Sequence, residues 1–229
     1  MILATTTVSK TITVHNGSTR VRATSLVEPV VYFFLDFWNI TISAAHLAAS
    51  HGDGIYNDHR VRLSCPNLRA LVERDRRWGA GYAAAAVSNP CAGLCKQMRQ
   101  VGIDLEVSEC GVRSGREQNV DERIQLEMYR LQAHSVPRGI VVLATGDGAG
   151  SAEGRGFLPV LQQLSESGFD IEVMSWEHSF HGKLRDWAES HGRAIVLDPF
   201  YKDLTFIDGG RNASSVNALY KKVALHGLN

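Results

Sequence analysis

The sequence predicts an α/β domain of three layers, with helices on both faces of a central, mainly parallel sheet. Three observations carry this prediction. Val30-Val31-Tyr32-Phe33-Phe34-Leu35 is a continuous apolar run, as expected of a strand buried on both faces of a parallel sheet. Short apolar runs then alternate with stretches of helical period, the pattern of successive right-handed βαβ units. Finally, 229 residues at 44% hydrophobic content suffice to bury the core of one such domain with short extensions.

Taken in order, residues 10 to 24 alternate Thr, Val and Arg around Asn16-Gly17 and predict a β-hairpin ahead of the main fold. The first core strand follows from Pro29. Residues 60 to 78 read as an amphipathic helix, with Leu68, Leu71 and Val72 inward and arginines outward. Tyr82 to Val87 is a strand, Cys91 to Val101 a helix and Ile103 to Val107 a strand, before a long helix from about Val120 to Ala133. Ile140 to Ala144 is another buried strand. Phe157 to Ser167 and His181 to Ser190 read as helices, and Ile171 to Ser175 and Ala194 to Leu197 as strands. A last helix ends near Tyr220-Lys221-Lys222. The chain thus divides into an N-terminal β-hairpin extension (1–28), the main α/β domain (29–208) and a C-terminal tail (209–229).

Lys plus Arg and Asp plus Glu balance at 24 each, so any basic surface is local. Arginine outnumbers lysine about three to one, which suits bidentate contact with phosphates. No run approaches the ~18 apolar residues of a membrane span, and no basic stretch with an apolar core opens the chain, so a cytoplasmic protein without a membrane partner is expected. The four cysteines, Cys65, Cys91, Cys95 and Cys110, lack the two close pairs of a zinc ribbon and read as free thiols. The Asn39-Ile40-Thr41 sequon falls at the expected end of a core strand, where a glycan is incompatible with folding. An edge strand leaves a homo-oligomer open.

In an open parallel sheet the ligand site lies beyond the carboxyl ends of the strands. Two expected strands end there in aspartate, in Leu35-Asp36-Phe37-Trp38-Asn39 and Leu143-Ala144-Thr145-Gly146-Asp147. A third acid, Asp121, opens the long helix. Each alone also fits a helix cap or first-turn acid. Three carboxylates gathered on one side of a sheet repel one another, and such a cluster is expected to hold a cation or to carry strongly raised proton affinities. Hard oxygen ligands without a histidine pair favour Mg2+ or Mn2+. Trp176 and Trp187 have apolar neighbours and read as core. His178 and His181 lie between the last expected strands and can reach the pocket rim, without an assigned catalytic role.

The set Phe34-Leu35-Asp36-Phe37-Trp38-Asn39, Asn119-Val120-Asp121, Thr145-Gly146-Asp147 and Phe157-Leu158-Pro159-Val160-Leu161, with Gly168 and Ile171-Glu172-Val173, resembles the NYN domain of the PIN-like nucleases. The resemblance spans roughly Val30 to Ile207. It implies a three-layer PIN-like, Rossmann-like fold and metal-dependent endoribonuclease activity on single-stranded RNA, with Asp36, Asn39, Asp121 and Asp147 in the site and the three aspartates as metal ligands. The sequence departs from the family where a second aspartate usually follows the Gly-Asp. Ala149 stands there, within the glycine-rich stretch Gly148 to Gly156. Glu153, or Glu122 beside Asp121, is the candidate for the missing acid. The alternative is an RNA-binding or protein-interaction module that kept the fold and lost catalysis. Nucleotide binding by the glycine-rich stretch ranks last, because neither a dinucleotide fingerprint nor a P-loop is complete. For RNA contact the candidates are Arg113, Arg116, Arg76 and Arg77, with Trp38 or Trp78 to stack a base. A solvated helix face explains the arginine spacing of residues 60 to 78 equally well.

Overall fold

The computed structural model describes residues 28–87, 92–109, 120–134, 136–147 and 156–228. The expected hairpin around Asn16-Gly17, together with Arg113, Arg116, Asn119, Ala149, Glu153, Cys91 and Cys110, falls outside them. Strand β1 (Val30–Asp36) is buried along its whole length. It lies at the centre of a sheet in which β3 (Arg77–Val87), β4 (Ile103–Glu109), β5 (Ile140–Ala144), β6 (Asp170–Ser175) and β7 (Arg193–Val196) all pair in parallel. The order is β4-β3-β1-β5-β6-β7. The direction of winding therefore reverses between β1 and β5, and a crevice opens at the carboxyl ends of such a pair.

Alternation along β1 builds two cores. Val31, Phe33 and Leu35 face the layer of α1 (Phe37–His46), α2 (Cys65–Glu73) and α3 (Ala92–Gln100), whereas Val30, Tyr32 and Phe34 face α4 (Val120–Ala133), α5 (Phe157–Glu166) and α6 (Gly182–His191). In α4, Val120, Ile124 and Met128 recur every fourth residue and are buried; in α5 the buried set is Phe157, Val160, Leu161 and Leu164. Fully buried Trp176 donates its indole N–H to the Ile40 carbonyl at 2.8 Å, which fixes α1 against the sheet. The final helix, α8 (Val216–Leu225), places Leu219 and Val223 in the first core. Cys65 and Cys95 are free thiols, and burial pushes the Cys65 thiol up to about 11.

Three features depart from the sequence reading or add to it. Residues 60 to 78 do not form one helix: they divide into β2 (Val61–Leu63), α2 and the start of β3. Gly79 and Gly81 lie within β3, which begins before the expected Tyr82. A Cβ on Gly79 would stand 2.6 Å from the Val30 side chain and 2.7 Å from the Tyr32 ring, so glycine is what lets the strands pack there. Second, β2 pairs antiparallel with β8 (Thr205–Ile207), which follows the short helix α7 (Tyr201–Leu204), and three-residue strands leave too little pattern to be read. Third, Asn39 lies in the first turn of α1 and not at a strand end.

The arginines expected on an outward helix face instead build a buried charge cluster at the amino end of the sheet. Arg74 and Arg76 both pair with Glu172 of β6, the latter at 2.9 Å, and the three side chains are 3%, 6% and 9% exposed. Burial pulls the Arg74 guanidinium below its ordinary value, and Glu172 opposes that shift. Arg74 also holds a left-handed backbone, φ 49°, unusual for a side chain of its size. Removing the carboxylate leaves two buried cations facing each other. Glu172→Gln is therefore expected to lower unfolding free energy by ~3 kcal/mol, measured by urea denaturation.

Candidate metal and phosphate site

At the reversal between β1 and β5, one pocket of about 440 Å³ is lined by Asp36, Asn39, Ile42, Ser43, Val120, Asp121, Glu122 and Asp147. The structure thus brings the three predicted aspartates, the predicted asparagine and one of the two additional acids to a single crevice. Each arrives by a different route. Asp36 is the last residue of β1 and the N-cap of α1, its Oδ1 accepting from the Asn39 N–H at 3.2 Å. Asp121 and Glu122 occupy the first turn of α4, where the helix dipole favours negative charge. Asp147 follows β5 by three residues.

A hydrogen-bond network ties these junctions together. Buried Thr145 donates its hydroxyl to Asp36 Oδ2 at 3.1 Å, and its own Oγ1 accepts from the Asp147 N–H at 3.1 Å. The Asn39 side-chain oxygen accepts from the Gly146 N–H at 2.7 Å. Because that donor is a backbone N–H, the oxygen of the amide must face it, and the amino group is the donor Asn39 can offer to the pocket. Asp36 is 4% exposed, while Asp121 and Asp147 are half-buried and Glu122 is exposed. Among the described residues no group of three or more His, Cys, Asp or Glu side chains stands at metal-holding spacing.

Of the predicted RNA contacts, Arg76 and Arg77 are not at this pocket. Arg77 pairs in register with Val30, six residues before Asp36, which puts it ~20 Å away at 3.3 Å per residue. Trp78 belongs to the same end, its ring covered by the Arg69 guanidinium 3.7 Å from the centroid. Trp38 sits on another side of α1 from Asn39. It packs edge-on against Phe37 and lines a separate cavity of about 570 Å³ with His59, Arg62 and Phe206. Sequence reasoning missed Thr145 as the bridge, and Ile42 and Ser43 as pocket walls. Their signal was present: once Asp36 caps a helix, Asn39, Ile42 and Ser43 follow at helical spacing on one face.

Gly146 is fixed by close approach. A Cβ there would meet the Ser179 carbonyl oxygen at 2.5 Å and the Ser179 and Ser175 hydroxyls at 2.8 and 2.9 Å. Gly146→Ala is expected to destabilise the fold by ~1–3 kcal/mol in thermal or chemical melts, because backbone must shift to admit the methyl group. Comparisons with known proteins support the fold alone. No protein-family model and no curated protein matches the sequence. Among solved structures, a protein of unknown function from Vibrio parahaemolyticus is similar to this chain, with a TM-score of 0.57 and 14% sequence identity, over 80% of this chain and 99% of its own.

Proposed function

We propose that this protein is a metal-dependent endoribonuclease that hydrolyses phosphodiester bonds of single-stranded RNA. The observation that carries the reading is the convergence of Asp36, Asp121 and Asp147, with Asn39, in one pocket at the reversal point of the sheet. The resemblance of the same residues to the NYN domain of PIN-like nucleases supports it.

The donor chemistry fits a hard divalent cation such as Mg2+ or Mn2+, since the titratable side chains lining the pocket are all carboxylates. Like charges repel, so carboxylates that share a pocket are expected to stand apart until a cation draws them in. Asp36, Asp121 and Asp147 would hold the ion, with Glu122 as a further acid. Bound there, the cation supplies Lewis-acid activation of a water and neutralises charge on the phosphate. The chain's own contribution is orientation. Thr145 and the Asn39 N–H hold both oxygens of Asp36 in place, and the Asn39 amino group can donate to a phosphate oxygen. Apolar Ile42 and Val120 wall the pocket against the sugar side of a nucleotide.

A second reading, a module that binds RNA or a protein without cleaving, draws on Ala149 in the place of the family's second aspartate and on the spacing of the described acids. Among the described residues no helix is long and apolar enough to cross a membrane. The two readings separate in one assay of labelled single-stranded RNA with Mg2+, Mn2+ or EDTA. The nuclease predicts metal-dependent cleavage that falls at least 100-fold in Asp36→Asn and Asp147→Asn. RNA retention without turnover at any metal concentration overturns it in favour of the binding module.

A further inference from the structure

One turn of α1 beyond the pocket wall the surface changes from acidic to aromatic. Ile42 lines the acidic pocket and is 47% exposed, and His46 follows it by four residues on the same helix face. The ring of Tyr56 lies on His46 with centroids 4.9 Å apart and planes 10° from parallel. His178, from the loop after β6, approaches the same histidine at 5.9 Å. That loop is joined to the pocket, since the His181 N–H donates to the Gly146 carbonyl at 3.1 Å.

The tip that carries Tyr56 is held rigidly. Asp53 grips Arg211 through both carboxylate oxygens, the closest contact 2.6 Å, and its backbone N–H donates to Ala48. Asp58 accepts from the Arg60 backbone N–H and from two of its side-chain nitrogens, at 3.0, 3.1 and 2.7 Å, while its own backbone N–H reaches Ala45. Between these anchors Ile55 and Tyr56 are held out at 75% and 68% exposure. One ring face of Tyr56 is therefore backed by His46 while most of the residue stands open to solvent. Both flanking acids are matched by an arginine, so the tip presents an aromatic surface without repelling phosphate.

We infer that Tyr56, backed by His46, is a base-stacking platform that receives a nucleotide neighbouring the one in the acidic pocket. Stacking suits every base because each has a π-face, so the platform gives affinity for single strands without sequence preference. The inference rests on the RNA reading of the pocket, and it concerns binding alone.

Its test is anisotropy of a labelled single-stranded RNA in EDTA, with wild type, Tyr56→Ala and Tyr56→Phe, against the same oligonucleotide carrying abasic positions. Tyr56→Ala is expected to weaken binding of the base-containing strand about tenfold, Tyr56→Phe to keep wild-type affinity, and the abasic strand to bind wild type and Tyr56→Ala alike. Unchanged affinity in Tyr56→Ala, an equal loss on the abasic strand, or no RNA binding by wild type overturns the platform. Unchanged affinity is also what a surface kept for a protein partner would give. Stacking-dependent binding without cleavage would keep the platform and overturn the nuclease. Cleavage lost in Asp36→Asn but RNA affinity untouched in Tyr56→Ala would do the reverse.

Discussion

The carboxylate of Asp36 is shared by two chain segments that the sheet brings together only at its reversal point. One oxygen caps α1 through the Asn39 N–H, and the other accepts from Thr145 at the end of β5. The reciprocal contact, Gly146 N–H to Asn39, closes the pair. A buried carboxylate is tolerated where donors surround it, and here those donors are the elements that form the pocket. The same bonds therefore stabilise the crevice and fix the direction in which its acids point. The site cannot loosen without breaking charge-assisted hydrogen bonds in the core.

Charge is divided between the two ends of the sheet. At the amino end, two buried guanidinium groups close on the single carboxylate of Glu172. At the carboxyl end, Asp121, Glu122 and Asp147 line one pocket with Asp36. Arginine consumed in the fold is not available to hold phosphate. The composition accordingly overstates the surface available for RNA, because Arg69, Arg74, Arg76 and Arg211 are engaged within the protein.

Much of the site was legible because it depends on strand ends. A run as apolar as Val30 to Leu35 fixes a central strand, and the polar residue that stops it must emerge at the crevice. Asp36 and Asp147 follow directly, and Asp121 follows from the start of α4. What stayed hidden depends on tertiary contacts that local pattern does not encode. The strand expected from Tyr82 begins at Arg77, because Gly79 and Gly81 leave room that Val30, Tyr32 and Trp78 fill. Asp36 ends a strand and caps a helix at once, so no loop signal separates β1 from α1. Tyr56 sits in a Gly- and Asp-rich stretch that reads as plain loop, and only pairing over long sequence distance, Asp53 with Arg211, makes it rigid.

The juxtaposition of acidic pocket and aromatic surface has an energetic consequence. Carboxylates do not attract a phosphodiester, whereas the attraction proposed beside them is stacking, which salt barely screens. With a cation, part of the acidic charge is offset and a direct ion–phosphate contact adds to the stack. Under the proposed function, metal therefore contributes to both placement and chemistry, while the rings keep the strand nearby in either state. A stacking contact would respond weakly to salt, and the ion–phosphate contact more strongly. Without the ion the rings would hold a strand that is not cut, and the ion would turn a held strand into a positioned one.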